Sequence, residues 1–173
     1  MRAGDPQPRS LHLLRDALPP ARGRPQLTLV LGIGNAWQGD DAAGLLAAQR
    51  LRERALAGVE VRELEGEPVS LVEAWDGADR VFVVDAVRSG AAPGTVHRLD
   101  ATHEPLPATL SAASTHTLGV GEAIELARAL GRLPALVVLY GIEAESIAAG
   151  AGLTPAVERA VDEAVERLLA ELA

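Results

Sequence analysis

Three continuous apolar runs constrain this chain more than any other feature: "LTLVLGIG" from Leu27, "RVFVVDAV" from Arg80 and "PALVVLYGI" from Pro134. A strand that is apolar at every position must be covered on both faces, which is the situation of a parallel strand between two helical layers. The segments between the runs agree with this. Residues 41–57 have helical spacing with leucines at 45, 46 and 51, "VEVREL" reads as a strand of alternating character, and a short helix is expected near 69–76. "GTVHRL" is a shorter, more polar strand behind the turn sequence "SGAAPG". "HTLGVGEAIELARALG" has helical spacing and ends on a glycine where a C-cap belongs. "TPAVERAVDEAVERLLAEL" is an amphipathic helix opened by Thr154 as N-cap, with Pro155 at the first helical position. The expected fold is a three-layer α/β/α sandwich with a mainly parallel central sheet of about five strands.

At 173 residues, 48% of them apolar, the chain can bury a full core as one domain, expected over residues 27–173. Residues 1–26, rich in proline and arginine, read as a mobile arm or a docking segment. Only Trp37, Trp75, Phe82 and Tyr140 are aromatic, and the formal net charge is −8. Both facts argue against a nucleic-acid surface, which needs stacking platforms and positive charge. No apolar run approaches the roughly 20 residues that cross a bilayer, and the start of the chain has no secretory h-region, so a cytoplasmic protein is expected. No apolar face is left over on the helices, which favours a monomer.

Cysteine is absent, so zinc-thiolate sites and thiol nucleophiles are excluded. All 16 basic residues are arginine, which excludes a Schiff-base lysine and a Walker-type P-loop. "GIGNAW" lacks the third glycine of a dinucleotide fingerprint, and neither H-E-x-x-H nor G-x-S-x-G occurs. Chemistry must come from carboxylates, histidines, hydroxyls or a metal.

In an open α/β sheet, ligands bind beyond the carboxyl ends of the strands. Asp40 and Asp41 follow the first strand and open a helix, where one acid can cap and the other can favour the dipole. Asp85 ends "VFVVD"; it reads either as a loop-bonded aspartate satisfying amides ahead of Ser89 and Gly90, or as a metal ligand or base. His116 precedes a helix whose N-cap would be Ser114 or Thr115. Two carboxylates and an imidazole from three crossovers form an O,O,N set suited to a borderline transition metal with open positions. His12, His97 and His103 are assigned no functional role.

Four stretches, "GIGNAWQGDDAAG", "VVDAVRSGAAPGTV", "STHTLGVGEAIELARALGRLP" and "LYGIEAESIAAGAGLTPAVERAV", together resemble the hydrogenase maturation proteases, which trim the large subunit of nickel-iron hydrogenases. The resemblance covers about residues 28–170 and implies the same sandwich. It implies that Asp41, Asp85 and His116 are the nickel-binding and catalytic positions, leaving Asp40 as the cap and a secondary candidate base. It further implies that nickel is a cofactor supplied by the substrate, a hydrogenase large-subunit precursor, and that a C-terminal extension is removed after a basic residue. Whether the metal activates water or only positions the peptide stays open. Ala42 stands where a glycine commonly follows the paired acids, and alanine suits a helical position. The competing expectations are a non-catalytic α/β module that holds a small anion at the glycine loop, which the paired acids would repel, and an inactive nickel-checking scaffold.

Overall fold

A computed structural model of the chain describes residues 26–107 and 119–173. Residues 1–25 of the expected arm, His12 within it, and His116 lie outside the described residues. In chain order the elements are β1 (Thr28–Ile33), a 3-10 turn (Gly39–Ala42), α1 (Ala43–Glu53), β2 (Val59–Leu64), α2 (Pro68–Ala74), β3 (Arg80–Val87), β4 (Val96–Asp100), α3 (Val120–Ala129), β5 (Leu136–Glu143) and α4 (Pro155–Leu172). The strands form one sheet in the order β2-β1-β3-β5-β4. The first four are parallel, and β4 runs antiparallel along β5. Residues 88–95 explain the reversal, because so short a connection cannot carry the crossover that a parallel strand requires.

The apolar runs are covered on both faces, as their composition demands. Val30, Phe82, Val84, Val138 and Tyr140 pack toward α1 and α4, whereas Leu29, Leu31, Val81, Val83, Val137 and Leu139 pack toward α2 and α3. Helix α4 presents Val157, Ala160, Val161, Ala164, Val165 and Leu168 to the core, the spacing of one helical stripe. Three of the four aromatic residues are buried, but Trp37 is 77% exposed, so it contributes nothing to the core and stands on the rim near the first loop.

Two helices begin or end elsewhere than their spacing suggests. The first opens as a 3-10 turn and becomes α-helical only at Ala43. It stops at Glu53, because Ala55 adopts a left-handed conformation at φ 47° and turns the chain toward β2. The N-cap of α3 is Gly119, not Ser114 or Thr115, and the Glu122 carboxylate accepts the Gly119 amide at 2.8 Å.

Close approach fixes where α1 starts. A Cβ on Gly44 would lie 2.2 Å from the carbonyl oxygens of both Ile33 and Val84, so only glycine lets the helix press onto the ends of β1 and β3. The 3-10 turn just ahead of it, carrying both paired acids, is thereby set against β3.

The far end of α4 is anchored by charge. Glu171 accepts the Tyr140 hydroxyl and a bidentate Arg98 guanidinium, and its carbonyl accepts Arg80 at 2.9 Å. Burial and the bond to the Glu171 carboxylate push the Tyr140 phenol up to about 12 from its ordinary 10.0. Between pH 10 and 12 the folded state therefore keeps a proton that the unfolded chain has lost. The associated stability is complete below pH 10 and is lost as pH rises through 12. Urea midpoints at pH 9 and 12 should show this fall in the wild type and a smaller one in Tyr140→Phe; equal slopes would remove Tyr140 as its source.

Candidate active site

Thr28 apart, the buried polar or charged side chains among the described residues are four carboxylates: Asp40, Asp41, Asp85 and Glu143. All four belong to the carboxyl edge of the central strands. Asp40 and Asp41 follow β1, Asp85 lies near the end of β3, and Glu143 ends β5. A buried carboxylate is costly unless it is matched by donors or a cation. What each one holds therefore indicates its task.

Asp40 is fully buried, and both of its oxygens are engaged. Oδ1 accepts the Thr154 amide at 2.6 Å, while Oδ2 accepts the amides of Glu145 and Ser146 at 2.9 and 2.8 Å and lies 3.2 Å from the Thr154 hydroxyl. Its own amide donates to the Ser146 carbonyl at 2.9 Å. The expected capping role is thus corrected. Neither Gln38, the N-cap of the 3-10 turn, nor Ala42, the N-cap of α1, makes a side-chain cap bond, and Asp40 instead fastens the β5–α4 connection. Thr154 is the N-cap of α4 as expected, but its hydroxyl faces Asp40 and makes no cap bond.

Asp41, 0% exposed, is held by the same turn; its amide donates to the Gln38 carbonyl at 3.0 Å. Gly34 packs so tightly against the Asp41 carbonyl that a Cβ there would approach to 2.1 Å. The "GIGN" loop thereby brings the acid back onto the sheet edge.

Asp85 is 1% exposed and alternates with Val81 and Val83, so it faces the α2/α3 side. The amides of Ser89 and Gly90, which could have been its loop partners, go to Glu143 instead. Glu143 Oε1 accepts Gly90 N–H at 2.9 Å, and Oε2 accepts the Ser89 amide and hydroxyl at 3.1 and 2.7 Å. Burial pushes the Glu143 carboxyl up, but these donors outweigh it and hold the group below the usual carboxylate range.

His116 lies outside the described residues, and the helix that follows it fixes the direction of this part of the chain. β4 returns the chain to the amino edge of the sheet, where Arg128 near the end of α3 donates to the carbonyls of Ala101 and Thr102 at 2.7 and 3.0 Å. The start of α3 therefore points toward the carboxyl edge, on the face to which Asp85 belongs. Asp41 and Asp85 are the two expected site residues that the described structure brings to one edge. Among the described residues no group of three metal-binding side chains occurs.

Glu143 was missed in the sequence, although "VVLYGIE" has the same form as "VFVVD": an acid closing a buried strand. The criterion that selected Asp85 selects it too. His97 is also closer to this edge than its mid-strand position implies. It pairs in register with Gly141, which pairs with Asp85, and its Nε2 lies 3.5 Å from Glu143 Oε2. His103 is exposed in the turn after β4, toward the opposite edge. Beside the site, Trp37, Leu45, Leu64 and Glu65 line an open groove between the first loop and the end of β2.

Comparison with known proteins places this arrangement among relatives. The sequence model of a family described as "Hydrogenase maturation protease" matches residues 47–171. The hydrogenase 2 maturation protease of Escherichia coli (strain K12) is 34% identical over 148 residues, covering 83% of this chain and 89% of that protein. The NiFe hydrogenase maturation protease HybD from Thermococcus kodakarensis superposes with a TM-score of 0.71 at 31% identity, over 86% of this chain and 100% of that one. An endopeptidase from Escherichia coli solved in solution gives a TM-score of 0.75 at 30% identity, over 85% and 92%.

Proposed function

The chain belongs to the hydrogenase maturation protease family, and from that premise we propose that it is the endopeptidase that removes the C-terminal extension of a nickel-loaded hydrogenase large-subunit precursor. One observation carries the reading: Asp41 and Asp85, both buried carboxylates, arrive at the same edge of the sheet from two different crossovers.

The nickel is part of the substrate in this reading. Asp41 and Asp85 supply carboxylate oxygens and His116 an imidazole nitrogen, a donor set that fits a borderline divalent metal with positions left open. Two oxygens and one nitrogen make a weak site. It binds appreciably only when the precursor's own ligands complete the coordination, so an unloaded precursor is not engaged. Burial of the two acids strengthens their attraction for a cation once water is excluded. Asp40 has four donors on its two oxygens, so of the acids considered as base the role falls to Asp85. The groove beside Trp37 and Leu64 offers an extended peptide a path to the edge. We read the protein as acting as a cytoplasmic monomer; among the described residues no helix is long and apolar enough to cross a membrane.

Incubation with a nickel-loaded large-subunit precursor, followed by mass spectrometry, should show loss of the C-terminal extension, and the nickel-free precursor should remain intact. Equal cleavage of both would remove nickel recognition. Failure to cleave any nickel-loaded precursor from the same source would remove the enzyme reading itself.

A further inference from the structure

We infer that Glu143 is a positioning residue for this site: its buried carboxylate fixes the segment that follows Asp85 and, with it, the strand end that carries that acid. The inference deepens the reading of Asp85 as part of an endopeptidase site and rests on it.

Glu143 pairs in register with Val87, two residues beyond Asp85. The connection over residues 88–95 is tied to it at both ends. Ala144 N–H donates to the Val87 carbonyl at 2.9 Å, Gly94 N–H donates to the Glu143 carbonyl at 2.8 Å, and Glu143 N–H donates to the Thr95 carbonyl at 2.9 Å. The side chain adds the three bonds to Ser89 and Gly90 at the start of the connection. At the start of the connection packing does not do this work: Arg88 and Gly90 are exposed, and a Cβ built on Gly90 would meet nothing within 4 Å, whereas Gly94 at the far end lies tightly against Ala156 of α4. Beyond the backbone bonds, the first turn is therefore held by side-chain bonds to one charged group, which are stronger than neutral ones.

The chemistry of the clamp requires a carboxylate. Two amides and a hydroxyl converge on its two oxygens, so both must accept. A glutamine would turn an NH2 group toward at least one N–H donor, and an aspartate would fall short by one methylene. His97, 3.5 Å from Oε2, is the ion-pair partner among the described residues and adds positive charge when protonated. The other buried loop-holding acid, Asp40, fastens the β5–α4 connection, whereas Glu143 acts on the connection that leaves Asp85.

The test compares wild type, Glu143→Gln and Ser89→Ala in amide hydrogen exchange and in steady-state cleavage of a nickel-loaded precursor that the wild type processes. Glu143→Gln should accelerate exchange at Ser89 and Gly90 but not in the middle of β5. It should lower kcat/KM by about tenfold or more, with a rise in KM, which a smaller folded fraction cannot produce. Ser89→Ala, which removes one donor and leaves the carboxylate, should shift KM in the same direction by about two- to threefold, and it serves as the variant of record if Glu143→Gln does not fold. Unchanged exchange at both amides in Glu143→Gln overturns the clamp whatever the activity. Faster exchange with KM and kcat within about twofold of wild type overturns the positioning role. If the wild type cleaves no precursor, the endopeptidase reading fails, and the exchange comparison alone judges the clamp.

Discussion

Asparagine at Asp41 or at Asp85 should stop precursor cleavage, leaving kcat/KM at least about a hundredfold below wild type when measured on folded protein well below its melting point. The substitution keeps the shape of each side chain, removes its negative charge and turns one accepting oxygen into an NH2 donor. Both positions are buried, at 0% and 1% exposure, so under the proposed function what is lost is a desolvated carboxylate available to a substrate-borne cation. His116→Ala should behave similarly, because a three-donor set has no spare ligand. Circular dichroism and thermal melts check the fold, and mass spectrometry of the precursor checks the reaction. Full activity in Asp41→Asn and in Asp85→Asn would mean that the site is assigned to the wrong residues. A defect in one alone would separate an acid that engages the metal from one that only lies near it.

Much of this architecture is legible before any coordinates, because it follows from burial. The strands β1, β3 and β5 are apolar at nearly every position and are found buried on both faces, and the stripe on α4 is found packed. The end points are less legible where local geometry decides. Nothing in "RERALAG" signals the left-handed turn at Ala55 that ends α1, and helical spacing before Val120 extends past the point where Gly119 caps α3. The site is legible in its carboxylate positions, since an acid ending an apolar strand stands out in either "VFVVD" or "VVLYGIE". What the sequence does not contain is the partner of each acid. The amides of Ser89 and Gly90 stand four and five residues from Asp85 and more than fifty from Glu143, yet they bond to the distant one, because sheet register places Glu143 beside Val87. Proximity along the chain is a poor guide where parallel strands bring remote segments side by side.

The same reasoning separates the paired acids and gives the largest expected change in stability. Asp40→Ala would leave the amides of Glu145, Ser146 and Thr154 without their acceptor in a buried place, and each unsatisfied group costs about 1–3 kcal/mol. Partial relaxation of the β5–α4 connection should limit the total to about 3–5 kcal/mol. At roughly 2–4 °C per kcal/mol for a chain of this size, the melting temperature should fall by about 6–20 °C. Asp40→Asn keeps one accepting oxygen but turns an NH2 group toward an N–H donor, so it should lie between wild type and Asp40→Ala. Cleavage measured well below the melting point of Asp40→Asn then distinguishes the two roles an acid here can have. A group that holds a loop should leave activity per folded molecule within about tenfold of wild type, whereas loss as deep as that of Asp41→Asn would place Asp40 in the chemistry. Because Asp40 and Asp41 are adjacent in the chain and equally buried, only the pairing of opposite results, stability lost at one and activity lost at the other, assigns them different work.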